Sequence, residues 1–269
     1  MSTETAAAHF PIEPADRLRQ LGVTVAEIPC VFGTLVGVGV LGTRVAESSG
    51  GALSAEATLI APAGPAFSIW SVIYLGLFAY AVWQWTPAAA TSERTRDTGW
   101  LVAVSMLLNA AWLLVTQQGW IWASVGVILA LALVLGVIVR RLTRTPASGP
   151  VERVVVDGTL GLYLGWVAVA ACANVTAALV SSGVRPADGL AQTLGVVVLV
   201  VAAGLGVLFA RRLGARWPVA AAMAWGLAWI GLGRLGGAPE SVVVAVAAFV
   251  AALVVLAAPL SPGLTRRAA

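Results

Sequence analysis

Eight side chains of this sequence combine aromatic rings with amide groups inside long apolar stretches. Aromatic rings stack on flat conjugated molecules, and an amide surrounded by lipid is costly unless it finds a hydrogen-bond partner. Such a set can hold a flat hydrophobic ligand, or it can join helices to one another. The candidate ligand-binding residues are Phe67, Trp70, Tyr74, Asn109, Trp112, Tyr163, Trp166 and Asn174.

The spacing of these residues predicts three helical stripes. Phe67, Trp70 and Tyr74 recur at intervals of three and four residues, and Phe78 and Trp85 extend the same row. Helix packing is the alternative use of such stripes, and hydrogen bonding between helices is the alternative use of the two amides. The other two stripes are Ser105, Asn109, Trp112 and Thr116, and Tyr163, Trp166, Ala170 and Asn174.

The residues that usually carry catalysis or metal binding are scarce. The single histidine, His9, belongs to the polar N-terminal tail. Cys30 and Cys172 lie in apolar stretches without disulfide or metal-ligand spacing. Within the apolar stretches there is no carboxylate pair and no nucleophile with a neighbouring base. The sequence therefore predicts no catalytic residue, no metal and no resident cofactor.

Composition indicates what positions these residues. The chain is 59% hydrophobic and only 10% charged, with a mean hydropathy of +0.93, whereas soluble domains carry roughly 25% charged residues. Lipid must therefore be its solvent, and we predict an all-α integral membrane protein. Eight apolar stretches are long enough to span a bilayer: 22–43, 66–85, 99–117, 120–142, 154–181, 191–213, 217–235 and 240–258.

The distribution of arginine predicts the orientation. With this span assignment, 13 of the 16 basic residues, all arginine, fall on one side and three, Arg44, Arg185 and Arg234, on the other. The positive-inside rule places the 13-arginine side in the cytoplasm of a cell-membrane protein, so both termini are expected there. Because these arginines occupy short loops, we expect the lipid bilayer, not nucleic acid, as the partner.

The charged residues within the predicted spans lie close to the ends of those spans, and three of them need an interpretation. Glu27 falls near the inner end of the first span, Asp157 in the first turn of the fifth, and Arg234 near the outer end of the seventh. Charged side chains at such positions usually reach the interface. We therefore interpret all three as interfacial, which disfavours a proton- or sodium-coupled pump.

Three motifs resemble the tryptophan-rich sensory protein family, the TspO/MBR group related to the mitochondrial translocator protein. They are "FSIWSVIY" in the second span, "LNAAW" in the third and "YLGWVAVAACAN" in the fifth. The resemblance covers about residues 22–181 and implies a five-helix bundle. It also implies a pocket for tetrapyrroles, sterols or synthetic aromatic ligands under the first outer loop, residues 44–65. The matching pocket residues would be Trp70, Tyr74, Asn109, Trp112, Trp166 and Asn174.

The chain departs from the family pattern in several places. The loop segment "APAGPA" has no tryptophan, and "NVTAALVSSGVR" lacks the tyrosine of a sterol-recognition pattern. About three further spans follow the bundle, where Trp225 and Trp229 form an i, i+4 pair with no assigned role beyond packing. The expected division is a cytoplasmic tail, a TspO-like bundle, additional transmembrane helices and a second cytoplasmic tail, over 1–21, 22–181, 182–258 and 259–269.

The leading functional hypothesis is a sensory or regulatory membrane protein that binds a hydrophobic aromatic ligand such as a porphyrin. The alternative is a passive transporter or permease component for such a molecule, and a porphyrin-degrading enzyme is the weakest option. Since His9 lies outside the bundle, we expect any tetrapyrrole to be held without an imidazole ligand to its metal. A homodimer is left open.

Overall fold

The computed structural model describes residues 11–37, 45–214 and 216–261, and no residue in these ranges belongs to a β-strand. The predicted all-α class is confirmed. Helix α5 contains a π-helical turn at Arg153–Gly158, and a 3₁₀ turn at Gly64–Ser68 leads into α2. The eight long helices are α1 (Pro14–Gly37), α2 (Ile69–Trp83), α3 (Glu93–Gln117), α4 (Ile121–Leu142), α5 (Pro150–Ser181), α6 (Asp188–Arg212), α7 (Trp217–Gly236) and α8 (Val242–Ala257).

Seven of these helices, α2 to α8, are long and apolar enough to cross a membrane, when α2 is counted with its preceding turn as Gly64–Trp83 and α8 with its closing turn as Val242–Leu260. Helix α1 begins at Pro14, well before the predicted start at residue 22, because a proline in the first turn and the nearby Asp16 both favour helix initiation. Its predicted span, 22–43, continues into residues outside the described ranges. The eighth crossing therefore stays a prediction.

The helices form two groups. Helices α1 to α5 make a bundle in which α1 packs on α3, α3 on α4, and α4 on α5, while α2 contacts both α1 and α5. Helix α7 packs along α5, α8 packs on α7, and α6 packs mainly on α8. The α5–α7 contact is close, since a Cβ atom added at Gly165 would lie 2.3 Å from the carbonyl oxygen of Val219. The last three helices are thus fitted against the bundle through α7.

One end of the molecule, which we call the arginine-rich end, is joined by buried ion pairs. The Arg94 side chain is only 4% exposed, and its two terminal nitrogens lie 2.8 Å from a carboxylate oxygen of Glu152 and 2.8 Å from one of Asp157. Arg216 also pairs with Asp157. These contacts tie α3, α5 and the start of α7 together. Asp157 is therefore a structural partner of two arginines.

A second group of charges at the same end joins α1 to α3. The Asp16 carboxylate, almost fully buried, accepts from Arg19 at 2.8 Å and from Arg96 at 2.6 Å. The bond from Arg96, opposed by burial, lowers the pKa of Asp16 far below its usual range. A more exposed pair, Arg141 with Asp97 at 2.9 Å, joins α4 to α3. Arg44, Arg266 and Arg267, which the topology prediction also used, lie outside the described residues.

Candidate functional site

An aromatic cluster lies where α2 meets α5, just below the 3₁₀ turn that begins α2. The Trp70 ring stacks on Tyr74 with centroids 5.1 Å apart, and it meets Tyr163 and Trp166 edge-on at 5.8 and 6.2 Å. Phe67 meets Trp166 edge-on at 5.6 Å. Two of the three predicted stripes, on separate helices, therefore come together.

The two amides are hydrogen-bonded to neighbouring helices. Asn109 donates to the Tyr74 hydroxyl at 3.0 Å, which links α3 to α2. The indole of Trp112 donates to Asn174 at 2.9 Å, and the Asn174 amide donates to the Ser124 hydroxyl at 3.0 Å, so α3, α5 and α4 meet at one point. Hydrogen bonding between helices, the alternative that the sequence left open, is thus present. Sequence reasoning missed Ser124, which stands alone in the apolar α4.

The polar group of Trp166 lacks a hydrogen-bond partner. The indole N–H of Trp166 is buried and makes no hydrogen bond to any described residue. Trp166 lines two small clefts, of about 20 and about 40 Å³, which share Phe67, Trp112 and Ala170 as walls. A buried donor without an acceptor is costly and is a common mark of a ligand position.

The row on α2 does not continue inward beyond Tyr74. Phe78 is 54% exposed and Trp85 is 40% exposed, so these two members of the row lie outside the buried aromatic cluster. Successive steps of four residues rotate by about 40° around a helix of 3.6 residues per turn. After Tyr74 the row has turned away from α5, towards a groove beside α1.

Residues 45–63, which we call the cover loop, close the clefts from above. Several of its residues, among them Val45, Thr58 and Pro62, line the larger cleft. Arg234 holds the loop from α7: its guanidinium donates to the carbonyl oxygens of Thr58 at 3.1 Å and Ala55 at 2.7 Å. Because Arg234 is only 1% exposed, the interfacial interpretation of this residue is wrong.

Helix α7 also holds the end of the cover loop and the turn that follows. The indole of Trp225 donates to the carbonyl oxygen of Ala66 at 2.9 Å, and the Ala63 amide donates to the carbonyl oxygen of Trp229 at 3.2 Å. The two tryptophan rings meet edge-on at 5.6 Å. The pair therefore holds the cover loop and the turn that follows in place above the aromatic cluster. The i, i+4 spacing of the two tryptophans is visible in the sequence, but their contact with the loop is not.

A larger cavity of about 760 Å³ lies on the other side of the cover loop, between the C-terminal end of α5 and the N-terminal half of α6. Its walls include Thr176, Leu194 and Gly195, and its rim carries Arg185. Thr58 lines both this cavity and the larger cleft. The cover loop thus separates the tightly packed aromatic cluster from this open cavity.

The structure brings all eight predicted site residues into one region of the bundle. Cys30 is buried and Cys172 half-buried, and neither forms a disulfide bond with a described residue. Residues 11–37, 45–214 and 216–261 contain no cluster of three or more side chains suited to a metal. His9 lies outside the described residues.

A family model described as TSPO-like protein matches residues 28–260. The matched region includes α6, α7 and α8, which the motif resemblance left out. No curated protein and no solved structure is significantly similar to the chain.

Proposed function

We propose that this chain, which belongs to the TSPO-like protein family, binds a flat aromatic ligand beneath the cover loop and serves a sensory or regulatory role. The observation that supports this most directly is the buried, unpartnered indole N–H of Trp166 beside the clefts. A ligand with a hydrogen-bond acceptor at its edge would satisfy that donor. A tetrapyrrole, the class implied by the motif resemblance, carries carboxylates that can do so.

The expected affinity comes from rings and from one hydrogen bond. Each good ring contact adds about 0.5–1.5 kcal/mol beyond area burial. A bond from Trp166 to a carboxylate adds about 1.5–3 kcal/mol, compared with about 1 kcal/mol for a neutral acceptor. Asn109 and Asn174 are expected to orient the ligand less directly, because their amides already bond to Tyr74 and Ser124.

Binding requires the cover loop to move. Small-molecule sites usually measure about 300–1,000 Å³, whereas the clefts beside Trp166 measure about 20 and about 40 Å³. A shift of the loop at Thr58 would join the larger cleft to the cavity of about 760 Å³. The rigid Pro62–Pro65 segment, which comes directly before the aromatic residues of α2, would act as the hinge.

The test is a titration of protoporphyrin IX against the purified protein in nanodiscs, with a matched pair of variants. Trp166→Phe keeps an aromatic ring but removes the N–H, so we expect affinity to fall about tenfold. Trp217→Phe, at an exposed position, makes the same chemical change and should leave affinity unaltered. If Trp166→Phe changes only the melting temperature and leaves affinity unchanged, the cluster packs helices and the proposal is wrong.

A passive transporter is the second candidate, and the open cavity behind the cover loop is the observation that favours it. It shares the binding step with the sensory hypothesis and differs in flux. Liposomes loaded with protoporphyrin IX separate the two, because a sensor binds the ligand without releasing it across the bilayer. A non-enzymatic role is part of this proposal, and unchanged porphyrin recovered after long incubation would support it.

We also propose that the arginine-rich end faces the cytoplasm, with both termini on that side of the cell membrane. Ion-paired arginines of α3, α4 and the α6–α7 connection gather at that end, which supports this orientation. A reporter fused after Arg144 should be cytoplasmic, and one fused after Gly50 external. A reversed result would overturn the orientation.

A further inference from the structure

A second site lies outside the aromatic cluster, in a groove between α1 and α2. Its volume is about 530 Å³, and it shares no residue with the clefts near Trp166. The walls are almost entirely apolar, with one carboxylate among them. The lining residues are Thr24, Glu27, Ile28, Val31, Phe78, Ala81, Val82 and Trp85.

Glu27 is the unusual member of this groove. The residue is only 7% exposed, and one oxygen of its carboxyl group is buried without a hydrogen-bond partner. In the described ranges, no arginine forms an ion pair with Glu27. The arginines of the neighbouring helices pair with other carboxylates. The Arg17 guanidinium stands over the Trp85 ring, 5.8 Å from its centroid.

The position of Glu27 along α1 makes the missing partner costly. At the arginine-rich end, the side chains of Gln20 and Gln84 bond reciprocally to each other's backbone carbonyl oxygens at 2.8 and 3.1 Å. Glu27 lies two helical turns further along α1, about 10 Å beyond Gln20. A carboxylate at such a depth is expensive without a positive partner, and ionisable groups placed there usually serve a function.

Two aromatic rings stand beside this carboxylate. Phe78 and Trp85 both line the groove and are both exposed, so they lie apart from the aromatic cluster. The Trp85 indole donates to the Thr24 hydroxyl at 3.1 Å, and that hydroxyl donates to the Gln20 carbonyl oxygen at 2.9 Å. This chain of bonds holds the Trp85 ring in place. A cation above the face of such a ring is attracted by the negative potential of its π-system.

We propose that the groove binds a hydrophobic cation, such as a quaternary ammonium or protonated amine that carries an apolar group. Glu27 supplies the opposite charge, Phe78 and Trp85 supply aromatic faces, and the α1 side chains Ile28 and Val31 hold the apolar part. The site is independent of the proposed tetrapyrrole function. Neither proposal requires the other, since they use different residues.

Two probes of equal shape test the proposal: benzyltrimethylammonium and neopentylbenzene, in which carbon replaces the charged nitrogen. Binding is measured by calorimetry on the full chain in micelles of an uncharged maltoside detergent, so that the surroundings neither attract the cation nor compete with it through an amine group. We expect the protein to bind the cation at least tenfold more tightly than the neutral probe. Equal binding of the two probes would overturn the proposal.

The variants then assign the preference to Glu27. Glu27→Gln should abolish the preference for the cation while leaving neutral binding unchanged. It should not lower the melting temperature, because glutamine has nearly the same size and the Glu27 carboxyl group has no ion pair to lose. Glu47→Gln, an exposed carboxylate of the cover loop, should keep the full preference. A Glu27→Gln protein that still prefers the cation would refute the assignment.

A further variant tests the rings. Phe78→Leu keeps the groove apolar but removes an aromatic face, and we expect a two- to fivefold loss of cation affinity with little change for neopentylbenzene. An equal loss for both probes would mean that Phe78 contributes only shape, and the cation–ring part of the proposal would be wrong.

Discussion

The two ends of the bundle are held together by different interactions. At the arginine-rich end, Arg94 lies between two carboxylates, those of Glu152 and Asp157. At the loop end, Arg234 is equally buried, but it donates to backbone carbonyl oxygens of the cover loop. One end therefore joins helices to helices through charge pairs. The other joins a helix to a loop through single hydrogen bonds.

This difference indicates which end can open. Separating a buried ion pair leaves charges without partners, which costs about 3–5 kcal/mol. Releasing one loop carbonyl oxygen from the charged Arg234 guanidinium costs about 1.5–3 kcal/mol, so each contact of the cover loop is weaker than a buried ion pair. The movable part is thus expected at the loop end, next to Trp166, while the arginine-rich end keeps the helices in register.

The largest effect is expected for Arg94→Met. Two carboxylates would lose a buried partner, and we expect a loss of about 3–5 kcal/mol, seen as a large fall in melting temperature in detergent. Arg153→Met, an exposed arginine on α5, is the control and should change little. Adding Glu152→Gln to Arg94→Met should recover part of the loss. A small effect of Arg94→Met would remove the contrast between the two ends.

Arg234→Met comes next in size. It removes the bonds to Ala55 and Thr58, so we expect a loss of about 1–3 kcal/mol. The clearer signal is local, since a glutamate-specific protease should cut the cover loop at Glu56 at least several times faster. Arg185→Met, an exposed arginine at the same end, should leave cleavage unchanged. Unchanged cleavage in Arg234→Met would show that the loop is held by other contacts.

A smaller effect is expected from acid at the arginine-rich end. The bond from Arg96 lowers the pKa of Asp16 in the folded protein, so the stabilisation is present above its unfolded pKa of about 3.9 and is lost as pH falls below that value. Arg96 is about one-third exposed, so we expect at most about 1 kcal/mol. The melting temperature of Asp16→Asn should accordingly fall less between pH 5 and pH 3 than that of the unmodified protein. Parallel curves would contradict this role for Asp16.

The smallest effect is expected at the exposed pair of Asp97 and Arg141, whose side chains are 47% and 37% exposed. Asp97→Asn should change the stability by less than about 0.5 kcal/mol, because water and salt already screen the pair. Melting temperatures at low and high salt check this. A large loss would mean that exposed pairs also hold this end together.

Hydropathy was sufficient to place most of the helices. The predicted spans 120–142 and 217–235 match α4 and α7 within one or two residues, because lipid requires continuous apolar stretches. The tight turn between α3 and α4 is also as expected, with Gly119 at a positive φ of 75°. The start of α1 was missed because its first two turns are polar and make ion pairs with α3.

The sequence predicted which residues make up the candidate site, but not the contacts that hold the cover loop over it. Helical spacing identified Trp70, Trp112 and Trp166 because each lies on a repeating face. Nothing local indicates that Arg234 bonds to Thr58, since 176 residues separate them. The burial of Glu27 is not visible in the sequence for the same reason, because it depends on contacts between distant parts of the chain.

The contact between Arg234 and Thr58 also sets an order in time. A ribosome adds about 5–20 residues per second, so the 176 residues between them take about ten to thirty-five seconds to synthesise. During that interval the first five helices can enter the bilayer, while the cover loop has no α7 to hold it. We therefore expect a nascent chain stalled after Ser181 to be cut readily at Glu56. Closure of the cover loop over the aromatic cluster is then among the last steps of biogenesis. A ligand present in the membrane could be enclosed as the protein is made.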